Sequence, residues 1–164
     1  MNIKYRVMVP NDYREVISLW KNAPEISFSD SDEELRITKY LQDNPNSSFV
    51  ACDNDKIIGT VLAGDDSRRG FINHLYVLPE YRHNGIGSEL LRLSELALST
   101  TNATKSYVFV KRDNSNGITY WKKKNYYLCD DFAVLRKSLS SDRFSVYEEL
   151  DEDSIKVYLN RIFI

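Results

Sequence analysis

The residues best placed for chemistry lie in one stretch, Phe71-Ile72-Asn73-His74-Leu75-Tyr76-Val77-Leu78-Pro79-Glu80-Tyr81-Arg82-His83-Asn84-Gly85-Ile86-Gly87-Ser88. An apolar run closes at Pro79 and two glycines stand one residue apart. From Ser88 onward Leu90, Leu91, Leu93, Leu96 and Ala97 recur at helical spacing. Strand, glycine loop and helix start, in that order, make an anion site. Glycines let successive N–H groups turn toward one point, and the helix N-terminus adds the positive end of its dipole. A pyrophosphate fits such a nest. Asn84-Gly85 is equally an ordinary strand-to-helix turn. Two nucleotide-enzyme readings fail on residue type. A P-loop needs Gly-Lys-Ser/Thr where Gly87-Ser88-Glu89 stands, and a dinucleotide fingerprint needs a third glycine where Leu90 stands.

The elements that must position this stretch read as α/β. Ile3 to Val9 alternates as a strand, and Pro10-Asn11-Asp12 opens a helix with Val16, Ile17, Leu19 and Trp20 on one face. A Ser31-to-Glu34 capping box starts a second helix, which runs to about Gln42 with Leu35, Ile37 or Thr38, and Leu41 on its apolar face. Residues 48–52 and 57–63 are strands joined by the turn Asp53-Asn54-Asp55-Lys56. Strand 71–78, helix 88–98, strand 107–110 and helix 114–124 follow. Strands at 126–128 and 132–139 and a last helix from about Ser145 complete the reading. Alternating hairpins and crossovers predict a mixed central sheet flanked by helices, with an extra C-terminal helix.

A length of 164 residues suits one core, expected over 1–140, with 141–164 as a helical extension. A net charge of −2 gives no footprint for nucleic acid or an anionic membrane, and no apolar run spans a bilayer. The N-terminal residues lack the apolar core of a signal peptide, which points to the cytoplasm. Cys52 and Cys129 fall in or beside predicted strands and are expected as buried small hydrophobes. Two histidines without Cys/His clustering leave no material for a zinc site, so no metal is expected.

Arg82-His83-Asn84-Gly85-Ile86-Gly87, together with the preceding Leu75-Tyr76-Val77-x-Pro79-x-Tyr81, resembles the acetyl-CoA-binding segment of the GNAT superfamily of N-acetyltransferases. The signature Arg/Gln-x-x-Gly-x-Gly/Ala is met at all three defined positions, and the element order agrees with that fold as far as Leu139. The chain is similar in particular to small bacterial members of undefined substrate, through 44–51, 68–72 and 114–121. The resemblance implies that acetyl-CoA is the cosubstrate. Its pantetheine arm would pair with Leu75, Tyr76 and Val77 along a splayed fourth strand. Arg82, His83, Asn84, Gly85, Ile86, Gly87 and Ser88 would hold the pyrophosphate. A second motif of the superfamily maps onto Asn114, Gly117, Trp121, Asn125 and Tyr126, with Asn114 orienting the pantetheine amide.

Two positions depart from that motif. Asn125 replaces a glycine past the helix, and Asn tolerates the left-handed cap conformation. Trp121 replaces the tyrosine that protonates the leaving thiolate, and an indole cannot serve as that acid. Tyr120 is adjacent but lies about 100° around a regular helix, so it is a candidate acid only with a local shift, and water or no dedicated acid is the alternative. The implied reaction is direct attack of a primary amine, on a small molecule or peptide, in a ternary complex. His74 is the candidate base, and a packed histidine is the competing reading. His83 belongs to the loop, and Asn73 cannot titrate. The acidic connection 25–34 forms either a rim for a cationic amine or a solvated helix start. A catalytically silent acyl-CoA sensor and a cofactor-free interaction module are the readings from other classes.

Beyond the family core, Ile155, Tyr158, Leu159 and Ile162 make one apolar helical face that must be covered by the same chain, a homodimer partner or the substrate region. Truncation after Leu150 is expected to lower the melting temperature, and to change the mass seen in sedimentation if the cover is a second copy. Unchanged melting and mass would mean the stripe packs against nothing.

Overall fold

The computed structural model describes residues 2–131, 133–137 and 139. The chain divides into two compact units, Met1–Asn125 and Tyr126–Ile164. Among the described residues all strands and helices lie in the first: β1 (Ile3–Val7), α1 (Tyr13–Lys21), α2 (Glu34–Asp43), β2 (Phe49–Asp53), β3 (Lys56–Asp65), β4 (Gly70–Val77), α3 (Ile86–Ser99), β5 (Ser106–Val108) and α4 (Ser115–Lys123). The sheet order is β1-β2-β3-β4-β5, antiparallel except for the parallel β4–β5 pair. This is the expected mixed sheet.

Helices cover both faces. Val16 and Trp20 of α1 and Ile37 and Leu41 of α2 bury against Val50, Ile57 and Leu62 on one face. On the other, α3 approaches closely. A Cβ on Gly59 of β3 would lie 3.2 Å from Leu90 Cδ1, and one on Gly70 of β4 would lie 3.0 Å from Leu98 Cδ1.

Several sequence expectations are corrected. α2 does not begin from Ser31. A 3-10 turn, Asp30–Asp32, precedes it, and the capping box is Ser29 with Asp32, whose carboxylate reaches back to the Ser29 N–H at 2.9 Å. Leu35 is exposed, because the helix turns Ile37, Tyr40 and Leu41 toward the sheet instead. The expected strands 126–128 and 132–139 do not form over their described residues, which carry neither strand nor helix. Alternating apolar residues supply no partner edge by themselves, and a strand exists only through its ladder. Cys129 is accordingly exposed, whereas Cys52 is buried in β2, where burial pushes its thiol pKa up. The C-terminal helix and its stripe lie outside the described residues. No helix of the described residues is long and apolar enough to cross a membrane.

The feature that shapes the site is a β-bulge in β4. Thr60 pairs with Tyr76 and Leu62 with Asn73, so β4 spends one more residue than β3 between these pairs. His74 takes up the excess with φ at 50°, a left-handed conformation rare for a side-chain-bearing residue. The bulge is tied down by the buried Thr60 hydroxyl, which accepts from Trp20 Nε1 at 2.9 Å and donates to the His74 carbonyl at 3.0 Å. Thr60→Val keeps the shape and removes both bonds, stranding a buried indole N–H and a part-buried carbonyl. It is expected to cost about 2–4 kcal/mol of stability, read by urea denaturation. A loss within error of zero would mean another group holds the bulge.

Candidate active site

After β4 the 3-10 turn Pro79–Tyr81 leads through Arg82 to the start of α3. Gly85 is the N-cap with φ at 79°, where glycine is unstrained and other residues are not. No side chain caps α3, so the N–H groups of Ile86, Gly87 and Ser88 have no acceptor inside the helix. A Cβ on Gly85 would meet nothing within 4 Å. One on Gly87 would make only ordinary contacts, 3.6 Å to Val77 Cγ2 and 3.7 Å to Tyr120 Oη. The space before the helix is therefore open, bounded by backbone N–H groups and the dipole's positive end. A groove of about 490 Å³ runs on from it, lined by Gly85, Ser88, Arg92, Lys123, Lys124 and Asn125 among others. Asn125 has φ at 65°, the left-handed cap expected of it.

β4 and β5 pair only from Gly70 to Ile72. Beyond that β5 ends, and the outer edge of Asn73 to Val77 has no strand partner among the described residues. The Val77 carbonyl points to this open side, where Arg82 Nε donates to it at 2.9 Å. Alternation along the strand puts the backbone groups of Leu75 on the same side. Arg82 is not a solvated arginine. Its Nη1 is 3.0 Å from Glu25 Oε1, and its guanidinium lies 5.4 Å above the Tyr76 ring.

On α4, Asn114 caps the helix by accepting from the Gly117 N–H at 2.8 Å. A Cβ on Gly117 would come within 2.5 Å of Asn114 Nδ2, so the glycine makes room for the cap. Asn114 Oδ1 is thus engaged within its own helix. Trp121 is buried, and Tyr120 is the residue whose hydroxyl reaches the α3 start beside Gly87. That hydroxyl is enclosed, and Ser88 is near without a well-formed hydrogen bond. Burial raises the Tyr120 pKa and Glu95 adds to the effect, with Ser88 pulling the other way. Tyr120 is neutral at physiological pH.

His74 faces the opposite side of the sheet from Val77. Its ring lies 4.2 Å from that of Trp20, centroid to centroid. Nε2 is 3.0 Å from Asp32 Oδ1, a charge-pairing distance, although the ring N–H is not aimed well enough for a regular hydrogen bond. His74 and Asn73 open onto a cavity of about 660 Å³, whose far wall is the α1–α2 connection and α2: Ser27, Ser29, Asp32 and Tyr40 among others. Burial pushes the Tyr40 pKa up to about 12 against a hydrogen bond to Asn73.

The acidic connection is neither plain rim nor plain solvated helix start. Asp32 is buried against His74 and Glu25 is paired with Arg82. Sequence reasoning missed Asp32, Glu25, Thr60 and Trp20 as site-shaping residues. Only Asp32 carried a local signal, the Ser29-x-x-Asp32 spacing.

Residues 13–126 match the Acetyltransferase (GNAT) family. The chain is 30% identical over 141 residues to an acetyltransferase of Sodalis glossinidius, covering 86% of this chain and 99% of that protein. The chain belongs to the GNAT acetyltransferase family. Among solved structures, the PaiA N-acetyltransferase of Thermoplasma acidophilum in complex with coenzyme A shares the fold at TM-score 0.67 and 20% identity, covering 81% of this chain and 94% of that one. Naa50 of Arabidopsis thaliana, in complex with a bisubstrate analogue of coenzyme A and a peptide, shares it at TM-score 0.63 and 23% identity, covering 79% and 86%. This GNAT protein is an acetyl-CoA-dependent N-acetyltransferase, and its uncapped helix start, open glycine pair and unpaired β4 edge fit that cosubstrate. Gly87→Val would fill the space before the helix, while its Cβ meets no clash. Calorimetry is expected to show a folded variant that no longer binds coenzyme A. Unchanged affinity would place the anion site elsewhere.

Proposed function

We propose that this GNAT enzyme, acting in the cytoplasm, acetylates a primary amine of a small molecule or peptide by direct attack in a ternary complex, with His74 as base. The observation that carries the reading is the position of His74. It stands on the bulge where the unpaired edge of β4 meets the cavity walled by the α1–α2 connection. The cosubstrate and the acceptor would approach this bulge from the two sides of the sheet edge. The peptide-bearing analogue bound to the Arabidopsis neighbour is consistent with a peptide acceptor.

Acetyl-CoA supplies a thioester, an activated acyl group with a good leaving group. The chain's own contribution begins with binding. The N–H groups of Ile86, Gly87 and Ser88, with the loop Arg82–Gly85, hold the pyrophosphate, and Leu75 and Val77 offer backbone pairing to the pantetheine arm. Fixing both reactants in one cleft removes most of the entropic barrier to their encounter. His74 takes the proton that the attacking amine must lose. Tyr120, neutral and enclosed beside Gly87, is the hydroxyl available as an acid on the cosubstrate side. Trp121 lies in the interior and takes no part in proton transfer.

His74→Ala is expected to lower kcat by about 10²-fold or more in a free-thiol assay with a panel of amines, leaving acetyl-CoA affinity unchanged. Tyr120→Phe should have a smaller effect. Full activity in His74→Ala across a pH series would remove His74 from the mechanism.

A further inference from the structure

Asp32 is an acid in a connecting segment, yet only 4% exposed. Its two carboxylate oxygens have different tasks. Oδ2 accepts the Ser29 N–H at 2.9 Å, which closes the 3-10 turn, and Oδ1 stands 3.0 Å from His74 Nε2. The segment is seated from below as well, since the Tyr13 hydroxyl donates to the Asp32 carbonyl at 3.0 Å. On the histidine side, Trp20 lies against the ring and Thr60 holds the main-chain carbonyl, so the imidazole has little freedom. Nε2 is enclosed and makes no hydrogen bond elsewhere. A small rotation of the ring aligns it with the oxygen already beside it, the one partner that removes the cost of a buried, unbonded nitrogen.

An ionised carboxylate can only accept. The ring nitrogen that faces Oδ1 must then carry the hydrogen in the neutral imidazole, because a lone pair there would point at a negative oxygen. Nδ1 is left with the lone pair, and it has no carboxylate facing it among the described residues.

We propose that Asp32 is the positioning residue of His74, holding Nε2–H so that Nδ1 is the atom that takes the proton from the acceptor amine. The inference rests on the reading of His74 as base. In the step itself the amine nitrogen bonds to the acetyl carbon and the carbon–sulfur bond breaks with its electron pair leaving on sulfur. The amine's proton passes to Nδ1, and Asp32 stays ionised beside the imidazolium so formed. The carboxylate that sets the tautomer belongs to the acceptor wall, so a correctly seated α1–α2 connection and a correctly oriented base are one condition.

The test is spectroscopic first. Long-range proton–nitrogen correlation on the wild-type enzyme distinguishes the two tautomers, and with only two histidines in the chain a His83→Asn variant assigns the signals. The expected result is His74 as the Nε2–H tautomer at a pH where it is neutral. Finding Nδ1–H overturns the proposal and needs no variant to fold. Asp32→Asn is the kinetic arm. The amide oxygen can keep the Ser29 N–H while the NH₂ group turns on His74, which inverts the preferred tautomer. The expected outcome is kcat lower by about 10²-fold or more, acetyl-CoA affinity unchanged, and no further loss when His74→Ala is added. If Asp32→Asn keeps full kcat while His74→Ala loses it, the positioning role falls and the base stands. If His74→Ala itself is fully active, the base reading has failed and this inference with it.

Discussion

One hydroxyl group carries an unusual share of this site. Thr60 accepts from Trp20 and donates to the main-chain carbonyl of His74, joining the first helix to the bulge in β4 through a buried side chain. The bulge has a geometric consequence. In a regular strand Asn73 and Val77, four residues apart, would share a face. Here Asn73 meets Tyr40 on the α1–α2 side and Val77 lies against Gly59 and Gly87 on the α3 side. The extra residue reverses the alternation. One short strand can therefore present residues to both the α1–α2 cavity and the start of α3, and the strained φ of His74 is the local cost of that exchange.

The α1–α2 connection is fastened to both halves of the site. Glu25 reaches the arginine of the glycine loop, Lys111 Nζ donates to the Pro24 carbonyl at 2.7 Å, and Asp32 meets the histidine of the bulge. Each fastening uses a charged group that is wholly or partly withdrawn from water, and such groups are costly without a partner. A segment rich in Asp, Glu and Ser would otherwise be mobile. These pairings give it fixed positions, and the wall of the cavity beside His74 takes its shape from them.

The α4 helix shows the same economy at the other side. Gly117 lacks a side chain where Asn114 folds back to cap, and the rotation this sets along the helix turns Tyr120 toward Gly87 and Trp121 inward. The indole at the motif position is a core residue, and the hydroxyl beside the helix start comes from its neighbour.

Much of this was legible before any coordinates. The glycine loop is readable because its geometry is a matter of backbone: Gly85 adopts a positive φ and Gly87 leaves open space, and both act on residue type at a fixed spacing. The helices and the first four strands are readable because burying one face imposes a period of 3.6 or 2 on the apolar residues. Neither logic reaches the bulge, which depends on how β3 and β4 fall into register. Nor does it reach the pairing of Asp32 with His74, whose partners lie 42 positions apart and meet only when the sheet and the connection are both in place. The strands expected at 126–128 and 132–139 mark the same boundary from the other side, since apolar residues were present and no strand ladder forms over the described ones. The sequence alone determined the glycine loop and the open helix start that follows it, because local backbone chemistry suffices for them. Which carboxylate faces His74, and which of two adjacent aromatics faces the start of α3, were decided by tertiary structure, because both depend on contacts between distant segments.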